Sequence, residues 1–290
     1  MSFKIAFRHP LRPDIIILIG GDMPHLLKKI VNALERSGVK KSTDLHFRGQ
    51  KLSLKMLQDV WLDGNDMVSI GSLRTNKLTA DHFPPKNSYS RMHVHLAVQV
   101  VSNTMVSIIG TYCKDNEERK QFYEPIKKIC TTLDRLVDIC NNTSMSSNGV
   151  WKGCEPINSP DHRHIGELLD ILDIFCEWRN ESPEKIHFIP WQSFEDLVYL
   201  IIGIIGVSKL YLKKDKSRIL VQQRSGSDDI EHEFAGIRVR NPKPTALDVR
   251  EISARRTGSR ASTFNALCKA NTSSDKDIFV DEVAAKLYRK

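Results

Sequence analysis

The hydrophobic pattern at the start of the chain changes from a short apolar run to a helical repeat. Residues 14–22 (DIIILIGGD) are rich in β-branched side chains, lack polar alternation and end in glycines, which predicts a central strand buried on both faces. Over residues 23–37, apolar side chains recur at helical spacing and charged ones take the other side. The pattern predicts a strand, a tight turn and an amphipathic helix closed by Gly38.

Farther along, the apolar residues follow a helical period over most of the chain. Residues 44–50 are typical of a strand that enters a turn, and residues 53–61 predict a helix with a serine cap. Two segments rich in helix-breaking residues, 83–88 and 141–160, predict loops. Further helices are predicted at residues 92–109, 116–140, 164–178, 193–212 and 228–237. This order predicts an α/β plus all-α fold in which one domain is inserted into another.

The composition indicates a folded protein with a basic surface. Of the 290 residues, 40% are hydrophobic and 27% are charged, which is typical of globular domains. The net charge of +8 favours nucleic acid or another anionic partner without identifying one.

The cysteines and apolar segments favour an intracellular protein. The six cysteines form no C-x-x-C pair, so neither a zinc knuckle nor a disulfide framework is indicated. The N-terminus lacks the apolar region of a signal peptide, and the apolar run 197–207 is too short to span a bilayer. We expect that run to be a buried helix, and we expect no membrane partner.

Asp22 is the first candidate for chemistry. It follows the predicted strand, and the carboxyl ends of strands in α/β folds are where ligands such as Mg²⁺ gather. Alternatively, Asp22 is only the N-cap of the next helix, with Pro24 in its first turn. The neighbouring His25 is more often a packing residue than a catalyst.

The second candidate is a pair of carboxylates in the last third of the chain. Asp228 and Glu231 are three residues apart, so on a helix they share one face and could present oxygens to a metal. The alternative is a capping box at the start of that helix. Spacing alone does not decide between these interpretations.

Basic residues are dense after Glu231. At this density they could neutralise several phosphates, although a solvated basic face is an equally good interpretation of the charge alone. The residues predicted to bind DNA are Arg238, Arg240, Lys243, Arg250, Arg255, Arg256 and Arg260.

Together, these segments resemble the P-element-type transposases, which are related to the THAP-domain transposases. Residues 22–32 (DMPHLLKKIVN) are similar to the family element D-x-x-H-L-x-K-x-x-x-N. Residues 77–82 (KLTADH) and 92–102 (MHVHLAVQVVS) resemble the signature that opens the family's insertion domain. Residues 170–180 are similar to a later insertion-domain segment, and residues 228–231 (DDIE) resemble the D-x-x-E helix that returns to the catalytic domain.

The resemblance implies a partial RNase H-like domain interrupted by a mainly helical insertion domain. The corresponding division is residues 1–72, an insertion of the GTP-binding type at 73–212, and a return to the RNase H-like domain at 213–290. By this resemblance Asp22 and Glu231 are catalytic Mg²⁺ ligands, and Asp228 is an acidic catalytic neighbour. The implied chemistry is two-metal cleavage and strand transfer of DNA.

The chain also departs from the family pattern. Only residues 1–21 precede Asp22, so we expect the first catalytic aspartate to be missing and the chain alone to show no strand transfer. The family's GTP-binding element F-D-x-L-N corresponds to residues 175–180 (FCEWRN). Cys176 and Arg179 then replace the aspartate and the asparagine, which makes GTP a doubtful ligand unless Asp173 or Asn180 serves instead.

Three functional hypotheses follow. The first is part of a nuclear transposase that binds transposon ends and target DNA, as a monomer or a homo-oligomer. The second is a catalytically inactive DNA-binding or regulatory protein derived from one. The third is an unrelated nucleotide-binding protein whose phosphate loop is the Gly20–Gly21 turn, although no G-x-x-x-x-G-K or G-x-G-x-x-G pattern supports it.

Overall fold

The computed structural model describes most of the first 212 residues and a few positions after them. The described residues are 6–8, 16–18, 20–40, 42–67, 78–84, 90–91, 93–140, 155–212, 236–239, 243, 245, 247 and 249. The chain forms two compact units, one of residues 1–5 with 19–223 and the other of residues 6–18 with 224–290.

The smaller unit contains a short antiparallel pair of strands. Strand β1 (Ala6–Arg8) pairs with β2 (Ile16–Leu18), with Ala6 opposite Leu18. The predicted strand therefore forms, although β1 is its one ladder partner within the described residues. Its central position in a larger sheet stays a prediction.

Helix α1 (Met23–Arg36) begins the larger unit and confirms the predicted amphipathic helix. Its apolar stripe is fully buried, and Gly38 follows its end with a positive φ of 71° that favours glycine. The buried residues of the stripe are Met23, Leu26, Leu27, Ile30, Val31, Ala33 and Leu34. Burial of this face packs α1 into the core of the larger unit.

A hairpin and a second helix follow. Strands β3 (His46–Phe47) and β4 (Gln50–Lys51) are joined by a two-residue turn in which both Arg48 and Gly49 have positive φ, as in the turns that suit tight hairpins. Helix α2 (Leu54–Met67) has the predicted serine cap, because the Met56 N–H donates to Ser53 Oγ at 3.3 Å. It extends past the predicted end at residue 61.

The single helix predicted at residues 92–109 is wrong. The structure has two helices, α3 (Val94–Val100) and α4 (Asn103–Tyr112), separated at Val101 and Ser102. Ser102 has an extended backbone, and its hydroxyl donates to the Gln99 carbonyl at 2.7 Å. A serine that bonds to the local backbone in this way offers an alternative to helix continuation.

Three long helices complete the larger unit, close to their predicted bounds. They are α5 (Glu117–Cys140), α6 (Arg163–Glu181) and α7 (Trp191–Leu212). Helix α1 packs against α2, α3, α5 and α7, while α6 packs between α5 and α7. The fold of the described residues is therefore mostly helical, with α1 at its centre.

Two described stretches have the length and composition of a membrane span, Val94–Tyr112 and Trp191–Lys209. The first comprises α3 and α4 with the break between them, and the second lies in α7, which packs on α1 and α6. Core helices of soluble proteins share this composition, so it is weak evidence for a membrane.

The described cysteines are free thiols, as predicted. Cys130 and Cys140 are fully buried in α5, and burial raises the pKa of each thiol to about 12. Thiols with such a pKa are protonated and unreactive at neutral pH.

Candidate functional site

Asp22 is the N-cap of α1, which confirms that structural role. Its carboxylate accepts a hydrogen bond from the His25 N–H at 3.2 Å and also contacts the His25 ring through Nδ1. The Asp22 side chain is 22% exposed, so it stays accessible beside α1. Capping does not exclude metal binding, because a carboxylate has two oxygens and about four lone-pair directions.

The backbone at Gly21 packs directly against α7. A Cβ atom at Gly21 would lie 2.4 Å from the carbonyl oxygen of Asp196 and 2.8 Å from Cβ of Leu200. Lys29 of α1 also links α1 to α7, because its Nζ lies 2.6 Å from Oδ2 of Asp196. Gly21 is therefore packed against α7. The Asp22 carboxylate accepts a hydrogen bond at the N-terminus of α1, where a phosphate would otherwise bind. This geometry disfavours the phosphate-loop hypothesis.

The other predicted catalytic carboxylates, Asp228 and Glu231, lie outside the described residues. Of the predicted DNA-binding residues, Arg238 and Lys243 are described, and both are exposed. The remaining ones also lie outside the described residues: Arg240, Arg250, Arg255, Arg256 and Arg260.

The two halves of the insertion signature meet in the structure. His82 is 2% exposed, and its Nε2 lies 2.8 Å from Oε1 of Gln99. The Thr79 N–H donates to Nδ1 of His82 at 2.9 Å, so the ring carries its hydrogen on Nε2 and donates to Gln99. The signature residues thus form a hydrogen-bonded unit around the buried His82, which spacing along the sequence did not reveal.

An ion pair links the residue just before α3 to α1, with the Arg91 side chain 48% exposed. Arg91 donates through Nε and Nη2 to the carboxylate of Glu35 at distances of 2.7–3.1 Å. The Glu35 side chain is only 8% exposed. Such two-pronged pairing fixes orientation as well as distance.

The segment that corresponds to the family's GTP-binding element lies on α6. Phe175 and Trp178 are buried, while Cys176 is half-buried, and burial raises the pKa of its thiol. The Arg179 guanidinium lies over the ring of Trp191, 4.7 Å from its centroid. Arg179 therefore makes a cation–π contact with α7. Its guanidinium has no oxygen that could accept a hydrogen bond, as the asparagine of the family element has.

The chain is similar to known proteins in sequence and in fold. Residues 24–154 match the family described as "TNP-like, GTP-binding insertion domain". The protein named "Transposable element P transposase" of Drosophila melanogaster is 24% identical over 256 residues, which is 84% of this chain and 31% of that protein. The solved "Drosophila P element transposase strand transfer complex" has a similar fold, with a TM-score of 0.65 and 23% identity over 86% of this chain and 53% of that chain.

The sequence and the fold are therefore similar to those of a DNA transposase. Within that class the similarity is to a P-element-type transposase, which agrees with the resemblance that the motifs predicted. The chain spans less than two thirds of the length of both relatives. The family match covers the start of the predicted insertion segment, and it also reaches back to residue 24.

Proposed function

We propose that this chain takes part in transposase chemistry, in which DNA is cut and the resulting end is joined to a target. The likeness to P transposase over 84% of the chain carries this proposal. The fold shared with the strand transfer complex supports DNA as the partner. The nucleus, where such DNA lies, is the proposed location, and homo-oligomerisation stays a prediction.

The proposed metal site combines Asp22 with Glu231, and Asp228 is its acidic neighbour. Carboxylate oxygens are the ligands that Mg²⁺ prefers, and two such ions activate a nucleophile and stabilise the leaving oxygen. The position of Asp22 beside α1, partly exposed and directly after the Gly20–Gly21 turn, supports this role. An RNase H-like arrangement of these residues is part of the same proposal.

Cutting of supercoiled DNA in Mg²⁺, measured in a complete transposase that contains this chain and supplies the first catalytic aspartate, tests the metal site. Asp22→Asn retains an N-cap residue but removes the charge, so it separates catalysis from helix capping. If Asp22 and Glu231 hold the metal, cutting falls at least about 100-fold in Asp22→Asn and in Glu231→Gln. Asp173→Asn, which changes an exposed carboxylate on α6, is the matched control. Cutting that survives in Asp22→Asn contradicts the proposed site.

A non-enzymatic DNA-binding or regulatory role is the second candidate. It is favoured by the contacts of Asp22, whose carboxylate already binds both the backbone and the ring of His25. A chain that binds DNA with a steep salt dependence but does not cut it in Mg²⁺ supports this candidate.

We also propose that GTP binds weakly, because Cys176 and Arg179 stand where the family element has an aspartate and an asparagine. Arg179 additionally contacts Trp191 and Phe194, at 4.7 Å and 5.4 Å from the ring centroids. The double variant Cys176→Asp/Arg179→Asn is expected to bind a fluorescent GTP analogue at least about tenfold more tightly, through hydrogen bonds to the base. Equal binding by the double variant and the unmodified chain contradicts this expectation.

A further inference from the structure

Two histidines and an aspartate, none of them a residue of the proposed Mg²⁺ site, converge beside helix α6. Asp44 and His46 lie at the start of the β3–β4 hairpin, and His187 ends a short 3₁₀ turn, Lys185–His187. One donor atom from each of the three side chains lies within 4.8 Å of the other two. Nε2 of His46 is 3.1 Å from Oδ2 of Asp44, and the two imidazole rings meet edge to face with centroids 4.8 Å apart.

A buried tryptophan fixes the backbones of both histidines. The indole N–H of Trp178 donates to the carbonyl of His46 at 2.7 Å and to the carbonyl of His187 at 3.2 Å. Trp178 is 0% exposed. The Asp44 N–H also donates to the carbonyl of Ile186 at 2.8 Å. The two segments, far apart in sequence, are therefore held together before any ligand binds.

Two further contacts fix the hairpin and the carboxylate. Arg48, in the turn, donates from Nε to Glu177 at 2.8 Å and from its backbone N–H to Glu181 at 3.0 Å. Nζ of Lys51 lies 2.6 Å from Oδ1 of Asp44, while the other oxygen faces His46. Lys51 thus leaves Oδ2 directed toward the histidines, as an outer partner does for a metal-binding carboxylate.

We propose that Asp44, His46 and His187 form a binding site for a single divalent transition metal ion of the zinc class. Two imidazoles and one carboxylate suit Zn²⁺, whereas Mg²⁺ prefers oxygen ligands alone. Around a tetrahedral ion with bonds of about 2.0–2.1 Å, ligands stand about 3.3 Å apart. The Asp44–His46 separation is already close to that value.

Small side-chain rotations complete the geometry. The side chains of His46 and Asp44 are 38% and 33% exposed, so they can adjust and a water can take the fourth position. The ion would then tie the hairpin to the 3₁₀ turn between α6 and α7. Its role is to brace the helical unit, and it does not depend on the proposed transposase chemistry.

Zn²⁺ binding to the full chain tests the site by calorimetry and by the visible absorption of bound Co²⁺. We expect one equivalent to bind, with affinity at least about tenfold lower in His46→Gln and in His187→Gln. His93→Gln/His95→Gln is the control, because it removes another close pair of rings, 5.0 Å between centroids. Unchanged Zn²⁺ affinity in His46→Gln/His187→Gln, or no stoichiometric binding to the unmodified chain, overturns the proposal.

A second measurement avoids substitutions and therefore any loss of folding. Carbethoxylation of histidines, mapped by mass spectrometry, is compared with and without Zn²⁺. We expect Zn²⁺ to protect His46 and His187 at least about tenfold while His95, which is exposed, reacts at the same rate. Protection of other histidines with His46 and His187 still reactive overturns the proposal.

Discussion

At the scale of single residues, the structure gives particular side chains roles that their sequence context only partly indicates. Asp22 shows this most clearly, because its capping of α1 is confirmed while its role as a metal ligand stays a prediction. Gly21 and His164 each lead to a testable prediction. In both, the effect depends on atoms that are distant in sequence.

The first prediction concerns Gly21. Gly21→Ala would place a methyl group 2.4 Å from the Asp196 carbonyl oxygen, and overpacking of this kind costs about 1–3 kcal/mol. Urea unfolding followed by circular dichroism measures the loss of stability.

The matched control is Gly166→Ala in α6. Nothing lies within 4 Å of a Cβ atom at Gly166, so alanine should stabilise its helix by up to about 1 kcal/mol. If the two substitutions have the same effect, packing under α7 is not what requires glycine at position 21.

His164 makes stability depend on pH. Its side chain is 0% exposed, and its ring nitrogens have no hydrogen-bond partner among the described residues. Burial, and then the nearby His162 and Arg135, lower the pKa of His164 from 6.5 to about 4 against the opposing effect of Glu155 and Glu167. The folded chain therefore holds this ring neutral where the unfolded chain protonates it.

The sign follows from proton binding. Between pH 6.5 and about 4 the unfolded state binds more protons, so the free energy of unfolding decreases as pH falls, by up to about 3 kcal/mol. His164→Leu should remove this part of the pH dependence and should not destabilise the chain at pH 7, because it also removes unpaired polar atoms. Urea unfolding at pH 7 and pH 5 measures the difference. A His164→Leu profile parallel to that of the unmodified chain contradicts the prediction.

At the scale of elements, the signature of the insertion domain acts as one packed unit. The KLTADH segment and α3 are joined by the hydrogen bond between His82 and Gln99, and Glu35 of α1 pairs with Arg91 just before α3. The signature therefore fixes the KLTADH segment to α3, and the neighbouring Arg91 links the start of α3 to α1. His82 bonds to Gln99, and Arg91 bonds to Glu35.

A double-mutant cycle on His82 and Gln99 tests that role. Each single change to alanine removes the hydrogen bond between the buried His82 and the half-buried Gln99, and should cost about 1–3 kcal/mol. Because the two side chains bond to each other, we expect a coupling energy of about 0.5–3 kcal/mol between them. Chemical denaturation of the four proteins gives the coupling. Additive effects would show that the two residues act independently.

At the scale of the whole molecule, the net charge of +8 accords with the proposed DNA partner. Each phosphate neutralised by a basic side chain contributes about 0.9 to the slope of log affinity against log salt concentration. Arg238→Ala/Lys243→Ala should therefore reduce the magnitude of that slope by about 2. Fluorescence anisotropy of labelled duplex DNA at several salt concentrations measures it.

The control for this prediction is Lys55→Ala, which removes a lysine of α2 that pairs with Asp59 at 2.7 Å. It should leave the slope unchanged. A slope that responds equally to Lys55→Ala would mean that net charge alone, and not the basic region after Glu231, determines DNA affinity.

The sequence by itself determined most helices, their caps and the resemblance to transposases. These features depend on neighbours within a few residues, such as the apolar stripe of α1 and the Ser53 cap of α2. Local patterns of this kind can be recognised without a fold. The motif spacings likewise indicated the resemblance to P-element-type transposases without a fold.

Only the tertiary structure decided the contacts between distant segments. It showed two helices where one was predicted at residues 92–109, and it showed Gly21 packed against α7. It also showed that the Trp178 indole N–H bonds to the carbonyls of both His46 and His187. Periodicity carries no information about such pairs, because they depend on how helices pack and on which buried polar groups satisfy one another. For the same reason, the lowered pKa of His164 follows from burial, which exists only once the helices are assembled.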